Sequence, residues 1–379
     1  MKQIPFHKPH IDSKAQKLIA EVLKSGWLTT GVKVKEFEQK IADLLGLQHT
    51  LAVSSGTAAL HLAYLTLDLK AGDEVIVPSF TFCSTINMIV HTGATPIFCD
   101  IDFKTLCLDP VDVKKKITKK TKAVVAVHFA GMPADLDKIG AICSKRKIPI
   151  IEDSAHAFLT TYKGAYIGSH GNISCYSFYV TKAITTAEGG MLTSPLPEIV
   201  TRARRLSLHG LSRDAEKRYS QGGSWKYEVL EAGYKYNLSD IHAAIGLSQL
   251  SNALKDKKSR TDIANLYRKL LGSVKDITLP IDPLHKNSSH AWHLFTIVVK
   301  DSSKRDSLIE YMQKSGIGVS VHFQPNHLQP RYRAMGNFSL PITEKIGESI
   351  LSLPIYPGLK RNEVAYITSV IKNFFTKKL

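Results

Sequence analysis

Between about residues 50 and 195, seven short apolar runs alternate with longer segments of helical periodicity, and this alternation limits the folds open to the chain. The runs lie at residues 50–53, 74–77, 96–99, 123–128, 148–152, 174–178 and 190–193. Several are apolar at successive positions rather than at every second one, as in Val124-Val125-Ala126-Val127, which fits strands covered on both faces. The intervening segments 58–69, 84–91 and 136–146 repeat apolar residues at helical spacing, with turns marked by Gly72-Asp73 and Gly93-Ala94. The connections are short, as βαβ crossovers require. The reading is an α/β fold with a large, mostly parallel sheet between layers of helices.

After about Asn237 the pattern changes. A long helical stretch is predicted through Leu271, then a β-like piece over 293–299 and helices over 303–315 and 362–375. We read residues 1–245 as a large cofactor-binding domain and 246–379 as a smaller C-terminal α+β domain. No apolar stretch approaches the roughly 18 residues needed to cross a bilayer. The N-terminus, Met1 to Pro9, has no apolar segment of the secretory kind, so the expected location is the cytoplasm. The five cysteines are scattered, with no CxxC pair and no metal-ligand spacing, so no metal is expected. Fifty Lys and Arg against 33 Asp and Glu give a net charge of +17, with a local cluster at Lys114-Lys115-Lys116-Ile117-Thr118-Lys119-Lys120. No aromatics interleave with those lysines and no nucleic-acid-binding motif accompanies them, so a solvated face is favoured over a nucleic-acid surface.

Three segments carry chemistry. Lys182 follows the run 174–178 and precedes Gly189-Gly190, a setting that presents an amine. Such an amine attacks a carbonyl only when deprotonated, which needs desolvation or nearby positive charge. One lysine among many is weak evidence alone. In the second segment, the apolar run 148–151 ends in Glu152-Asp153-Ser154-Ala155-His156. Strand C-termini are where α/β sheets bind ligands, and a carboxylate there can keep a pyridine nitrogen protonated, or simply cap the next helix. The third is Val53-Ser54-Ser55-Gly56-Thr57, a strand, a small-residue turn and a helix start, where free N–H groups and the helix dipole suit a phosphate. Many α/β turns look like this. Together the three supply a phosphate cradle, a partner for a pyridinium and a carbonyl-capturing lysine, in the order one cofactor, pyridoxal 5'-phosphate, requires.

Over nearly its whole length the chain resembles the sugar-aminotransferase family of fold type I pyridoxal-phosphate enzymes. The resemblance is carried by Gly26-Trp27-Leu28-Thr29-Thr30-Gly31, Ser55 to Leu60, Pro78-Ser79-Phe80-Thr81-Phe82, Asp100-Ile101-Asp102, Glu152 to His156, Ser177 to Lys182, Glu188-Gly189-Gly190, Gly233 to Asn237 and Tyr332. It implies that Lys182 and Asp153 are catalytic, with Lys182 joined covalently to the cofactor and Asp153 paired with the ring nitrogen. His156 would lie beside the ring, Phe82 against its face, and Gly56, Thr57 and Ser177 around the phosphate. Asn237 would reach the phosphate from the other subunit of a homodimer with shared sites.

The branch that makes UDP-4-amino-4-deoxy-L-arabinose from a UDP-linked 4-keto-pentose, with glutamate as donor, is the nearest match. It is carried by Glu228 to Asn237, His290-Ala291-Trp292-His293-Leu294-Phe295 and Val127 to Asp137, while Tyr179-Val180 and Ala187 depart from the commoner pattern. His322 and His327 are candidate substrate residues, each equally readable as an ordinary surface or core histidine. The alternatives are another nucleotide-linked keto sugar, such as a UDP-4-keto-6-deoxy-N-acetylhexosamine, and, from a different class, a non-catalytic basic protein that binds nucleic acid. A dehydratase of the same fold carries histidine where this chain has Lys182.

Overall fold

The computed structural model describes residues 3–212 and 226–376. Seven strands form its main sheet: β1 (His49–Val53), β2 (Glu74–Pro78), β3 (Thr95–Cys99), β4 (Thr121–Val127), β5 (Ile150–Asp153), β8 (Ile173–Ser177) and β9 (Gly190–Ser194). Two short strands, β6 (Thr161–Tyr162) and β7 (Ala165–Tyr166), form a separate ribbon between β5 and β8 in the chain. The sheet order is β1-β9-β8-β5-β4-β2-β3, and β9 alone among these seven runs against both its neighbours. All seven predicted runs are strands, with ends within about two residues of those read from sequence.

Residue alternation places the two faces in two cores. Val75, Val77, Val125, Val127 and Ile151 pack with the helices Gly56–Thr66, Cys83–His91 and Pro197–Leu206. Their neighbours Ile76, Val124, Ala126 and Ile150 pack on the other face with Pro110–Lys116 and Leu136–Cys143. Burial on both faces explains why these strands lack polar alternation.

The predicted helix from 237 to 271 is two helices, Asp240–Leu250 and Ala253–Leu271, divided at Ser251-Asn252. They answer to different neighbours: the first packs on Ser13–Ser25 and Val32–Leu45, the second on Arg361–Thr376. The last helices cover a second, antiparallel sheet of β10 (Ile277–Thr278), β11 (Phe295–Val299) and β12 (Ile350–Leu353). Its core includes Ile4 from the N-terminus, which pairs with Ile317.

The lysine cluster is only partly solvated. Lys116 Nζ donates to Phe98 O at 2.6 Å and pairs with Asp112 at 2.8 Å, while Lys114, Lys115, Lys119 and Lys120 face solvent. Cys99, Cys107, Cys143 and Cys175 are buried and Cys83 is half-buried. Among the described residues, no helix is long and apolar enough to cross a membrane.

Candidate active site

The three segments meet at the C-terminal ends of β5 and β8. In β5 every residue is buried, and consecutive side chains point to opposite faces. That separates the two acids. Glu152 accepts from Asn172 at 2.8 Å and pairs with His128 at 2.9 Å, both fully enclosed, so its charge is spent on structure. Asp153 faces the other way, where Thr85 Oγ1 donates to Oδ2 at 2.7 Å and Ala155 N donates to Oδ1 at 3.1 Å. Each carboxylate oxygen keeps a lone pair for a further donor. Thr85, itself 3.1 Å from Thr81 Oγ1, is a support that sequence reading missed; it lies in a helix whose only signal was apolar spacing.

Lys182 lies in the loop that returns from β8 to β9. The loop is pinned where Phe178 N donates to Gly189 O at 2.8 Å and Thr186 N to Phe178 O at 2.9 Å, and Lys182 N donates to Tyr179 O at 2.9 Å. Lys182 is half-buried along its length. Burial of the amine lowers its pKa to about 8, partly offset by the Asp153 carboxylate. An amine of that kind yields its proton far more readily than a surface lysine.

Three imidazoles surround the amine in neutral form. His156 is held well below its ordinary range by burial, then by Lys182 and His322. Its Nδ1 accepts from Ala130 N at 3.2 Å, which places the ring proton on Nε2. One face of the ring is stacked on Phe323 (5.9 Å, 16°), and His293 lies 4.4 Å away. His293 is likewise lowered by burial and by His156, Lys182, Arg260 and His322. His322 is lowered to about 4 by burial and Lys182, and its Nδ1 is 2.9 Å from Ser352 Oγ. Phe323 and His293 are further residues to which sequence reading gave no role, although His293 lies in the motif 290–295 that carries part of the resemblance; the folding of the C-terminal segment over the sheet brings them here.

Beside this group, β1 turns through Ser54-Ser55 into the helix Gly56–Thr66. Ser55 caps it, accepting from Ala58 N at 3.0 Å, and the other first-turn N–H groups stay free for an anion. The turn is packed against Ser177 at the end of β8: a Cβ on Gly56 would lie 2.8 Å from Ser177 Cβ. Gly56, Thr57 and Ser177 therefore form one small-residue concavity. A recess too tight for a methyl group, a buried carboxylate and a desolvated amine fit the phosphate, ring nitrogen and carbonyl of pyridoxal phosphate.

The remaining candidates divide. Phe82 is 58 % exposed and reaches the group only through Phe323, 6.2 Å away. Asn237 pairs with Val53 across an isolated bridge, and its amide donates to Thr30 Oγ1 of the same chain at 2.7 Å. His322 joins the Lys182 group, but His327 does not. Its ring nitrogens lie 2.7 Å from Ser79 Oγ and 3.1 Å from Glu344 Oε1, a latch between the end of β2 and the helix Pro341–Ser349.

Comparison with known proteins agrees with this geometry. The model of the DegT/DnrJ/EryC1/StrS aminotransferase family matches residues 9–372. The spore coat polysaccharide biosynthesis protein SpsC of Bacillus subtilis is 40% identical over 377 residues, covering 98% of this chain and 96% of SpsC. Among solved structures, the pyridoxal-phosphate form of Spr1654 from Streptococcus pneumoniae, described as a putative sugar aminotransferase, superposes with a TM-score of 0.92 at 32% identity and 98% coverage of both chains. PseC of Helicobacter pylori, an aminotransferase of pseudoaminic acid biosynthesis, gives 0.92 at 28% identity, covering 99% of this chain and 100% of PseC.

Proposed function

Because the chain belongs to the DegT/DnrJ/EryC1/StrS aminotransferase family, we propose that it transfers the amino group of glutamate to the 4-keto carbon of a nucleotide-linked sugar. It is a pyridoxal-phosphate-dependent sugar aminotransferase of the fold type I architecture. The finer reading is that the substrate is a UDP-linked 4-keto-pentose and the product UDP-4-amino-4-deoxy-L-arabinose. The alternative is another nucleotide-linked keto sugar, such as a UDP-4-keto-6-deoxy-N-acetylhexosamine.

The observation that carries the proposal is the convergence of Lys182, Asp153 and His156 beside the Gly56–Ser177 recess. Bound pyridoxal phosphate supplies a carbonyl for amines and a ring that accepts the electron pair left when a proton departs from carbon. Lys182 Nζ would hold the cofactor through its carbonyl carbon and, as a free amine, would carry the proton between the donor's α-carbon and that carbon. Asp153 keeps the ring nitrogen protonated, its own oxygens fixed by Thr85 and Ala155. Neutral His156 lies beside the ring with its Nε2 proton available as a donor. Gly56, Thr57 and Ser177 bind the phosphate. His322, and more remotely His327, shape the sugar side.

We place the working unit as a homodimer in which Asn237 and the exposed Phe82 serve the shared sites. The exposed Tyr227, Val229 and Leu230 just before Asn237 support an interface there. We divide the chain into a cofactor domain, 1–245, and a smaller domain, 246–379, a division supported by the separate core around the second sheet. The test is the visible absorbance of the protein loaded with pyridoxal phosphate. Glutamate should move that band to the ultraviolet in wild type but not in Lys182→Ala, and a nucleotide-linked 4-keto sugar should restore it. An identical glutamate response in Lys182→Ala would overturn the assignment, and restoration only by the hexosamine would select the second substrate.

A further inference from the structure

After β4 the chain makes a buried turn, residues 128–134, that is fastened to His156 on one side and to the neighbours of His293 on the other. Its first residue, His128, is fully buried and bonded at every polar atom. His128 N donates to Asp153 O at 3.1 Å and its carbonyl accepts from Gly131 N at 3.2 Å. Its Nε2 lies 2.9 Å from Glu152 Oε2, and its Nδ1 accepts from Ala134 N at 3.0 Å. Because Nδ1 accepts, the ring proton sits on Nε2 and is donated to Glu152. Burial opposes ionisation of Glu152, but the hydrogen bonds from His128 and from Asn172, at 2.8 Å, hold its carboxyl below the usual value. One ring therefore ties the far end of the turn back to its start.

Between those ends the backbone bends sharply. Ala130 has φ 57° and Gly131 φ 98°, the left-handed region, which an alanine occupies only where its surroundings hold it. The bend sends the polar groups of Ala130 to two different segments: its N–H donates to His156 Nδ1 at 3.2 Å, and its carbonyl accepts from Leu294 N at 3.2 Å. Gly131 O accepts from Ala291 N at 3.1 Å and from Thr160 Oγ1 at 2.8 Å. A Cβ on Gly131 would lie 3.0 Å from both Ala291 Cβ and His156 O, so the turn is closely enclosed. It holds His156 directly and brackets His293 between Ala291 and Leu294, and the two rings stand 4.4 Å apart.

We propose that His128 is a positioning residue for the transamination, with Glu152 fixing its tautomer: by closing the turn it keeps the Ala130 N–H on His156 Nδ1, and so keeps the His156 proton on Nε2. The proposal rests on the reading of Lys182, Asp153 and His156 as the group that holds pyridoxal phosphate. A neutral imidazole can carry its proton on either nitrogen, and the hydrogen bond made by one nitrogen decides the other. Among the described residues, the Ala130 N–H is the one hydrogen bond given to the His156 ring, so it selects the tautomer. Glu152 faces away from Lys182, and its effect on the site is carried by the turn. A reacting group displaced by about 1 Å costs on the order of a hundredfold in rate, which is the reason to fix such a ring from behind.

The test compares two replacements of one ring. Asparagine offers an acceptor oxygen at the reach of Nδ1 but no donor to Glu152, whereas glutamine offers a donor at the reach of Nε2 but no acceptor for Ala134. Both should lower the melting temperature, since each leaves a buried partner unpaired. In the cofactor-free full chain, hydrogen–deuterium exchange at residues 128–136 should rise about tenfold in His128→Gln, as loss of one hydrogen bond permits, and stay near wild type in His128→Asn. In protein loaded with pyridoxal phosphate, the pH midpoint of the visible band should move by about one unit in His128→Gln, in the direction seen in His156→Asn, and hold in His128→Asn. The titratable groups around His156, namely His293, Lys182 and His322, are the same in both His128 variants. Adding His128→Gln to His156→Asn should move the midpoint no further, because the one acts through the other. Unchanged exchange at 128–136 in a folded His128→Gln protein would overturn the proposal. So would equal midpoint shifts in the two His128 variants, the mark of a merely structural contact, or an additive shift in the double variant. Because the exchange is read without cofactor, a failure of the Lys182 assignment would leave that local response intact and appear instead in the absorbance of Lys182→Ala.

Discussion

Gly56→Ala separates the phosphate recess from the stability of the fold. The added Cβ would lie 2.8 Å from Ser177 Cβ, at least 0.6 Å short of the 3.4 Å at which contact becomes ordinary, with Ser177 Cα and Oγ both at 3.3 Å. Ser177 has little room to retreat, because it is paired with Gly190 of β9, and a Cβ on Gly190 would itself overlap the Ser55 backbone. Overpacking of this kind costs about 1–3 kcal/mol. Working against it, alanine is favoured over glycine in a helix by about 1 kcal/mol, less at the first turn. The expected net loss of stability is therefore small, on the order of 1 kcal/mol. The displacement falls on the first-turn N–H groups, so cofactor binding should weaken more clearly, by about tenfold, equivalent to about 1.4 kcal/mol. The assay is titration of cofactor-free protein with pyridoxal phosphate, read by absorbance, beside a thermal melt of the same sample. In Gly56→Ala/Ser177→Gly the 2.8 Å contact is gone and only Cα at 3.3 Å remains, so most of the melting loss should recover, while affinity should not, because a phosphate ligand has been removed. Wild-type affinity in Gly56→Ala, or a melting loss that the second substitution leaves in place, would refute the packing argument.

Capture of pyridoxal phosphate by cofactor-free enzyme should accelerate with pH around a midpoint near 8, since only the neutral Lys182 amine attacks and its pKa is lowered to about 8; stopped-flow absorbance checks this. The sign for stability is the same: between about pH 8 and the usual lysine value the unfolded chain binds the extra proton, so this group's contribution to stability rises with pH, as melts of wild type against Lys182→Ala should show. Asp153→Asn should lower kcat by about a hundredfold or more, as loss of a stabilising charge at the reacting group does. Thr85→Val, which removes one charge-assisted hydrogen bond, should cost about tenfold, and equal losses in both would contradict the idea that Thr85 acts through Asp153. Finally, if Asn237 serves the partner's site, mixing inactive Lys182→Ala with a weakened Asn237→Ala should restore activity, because hybrid dimers then contain one intact site; no recovery would place Asn237 in its own chain's site.

What the sequence determined by itself follows from local pattern. Continuous apolar runs bounded by turns located all seven strands, since strands covered on both faces admit few polar residues. The strand-turn-helix pattern at Ser55-Gly56-Thr57 and the lysine between β8 and β9 were legible for the same reason, as each is set by neighbours within a few residues. Tertiary structure decided the rest. Glu152 and Asp153 are equivalent acids on paper, and only the placement of the strand between its neighbours sends one to His128 and the other toward Thr85 and Lys182. His322 and His327 lie five residues apart, yet one joins the Lys182 group while the other is occupied by Ser79 and Glu344. Thr85, His293 and Phe323 come together from segments far apart in the chain. No local periodicity encodes such contacts, which exist only once two packed cores hold those segments against one end of the sheet.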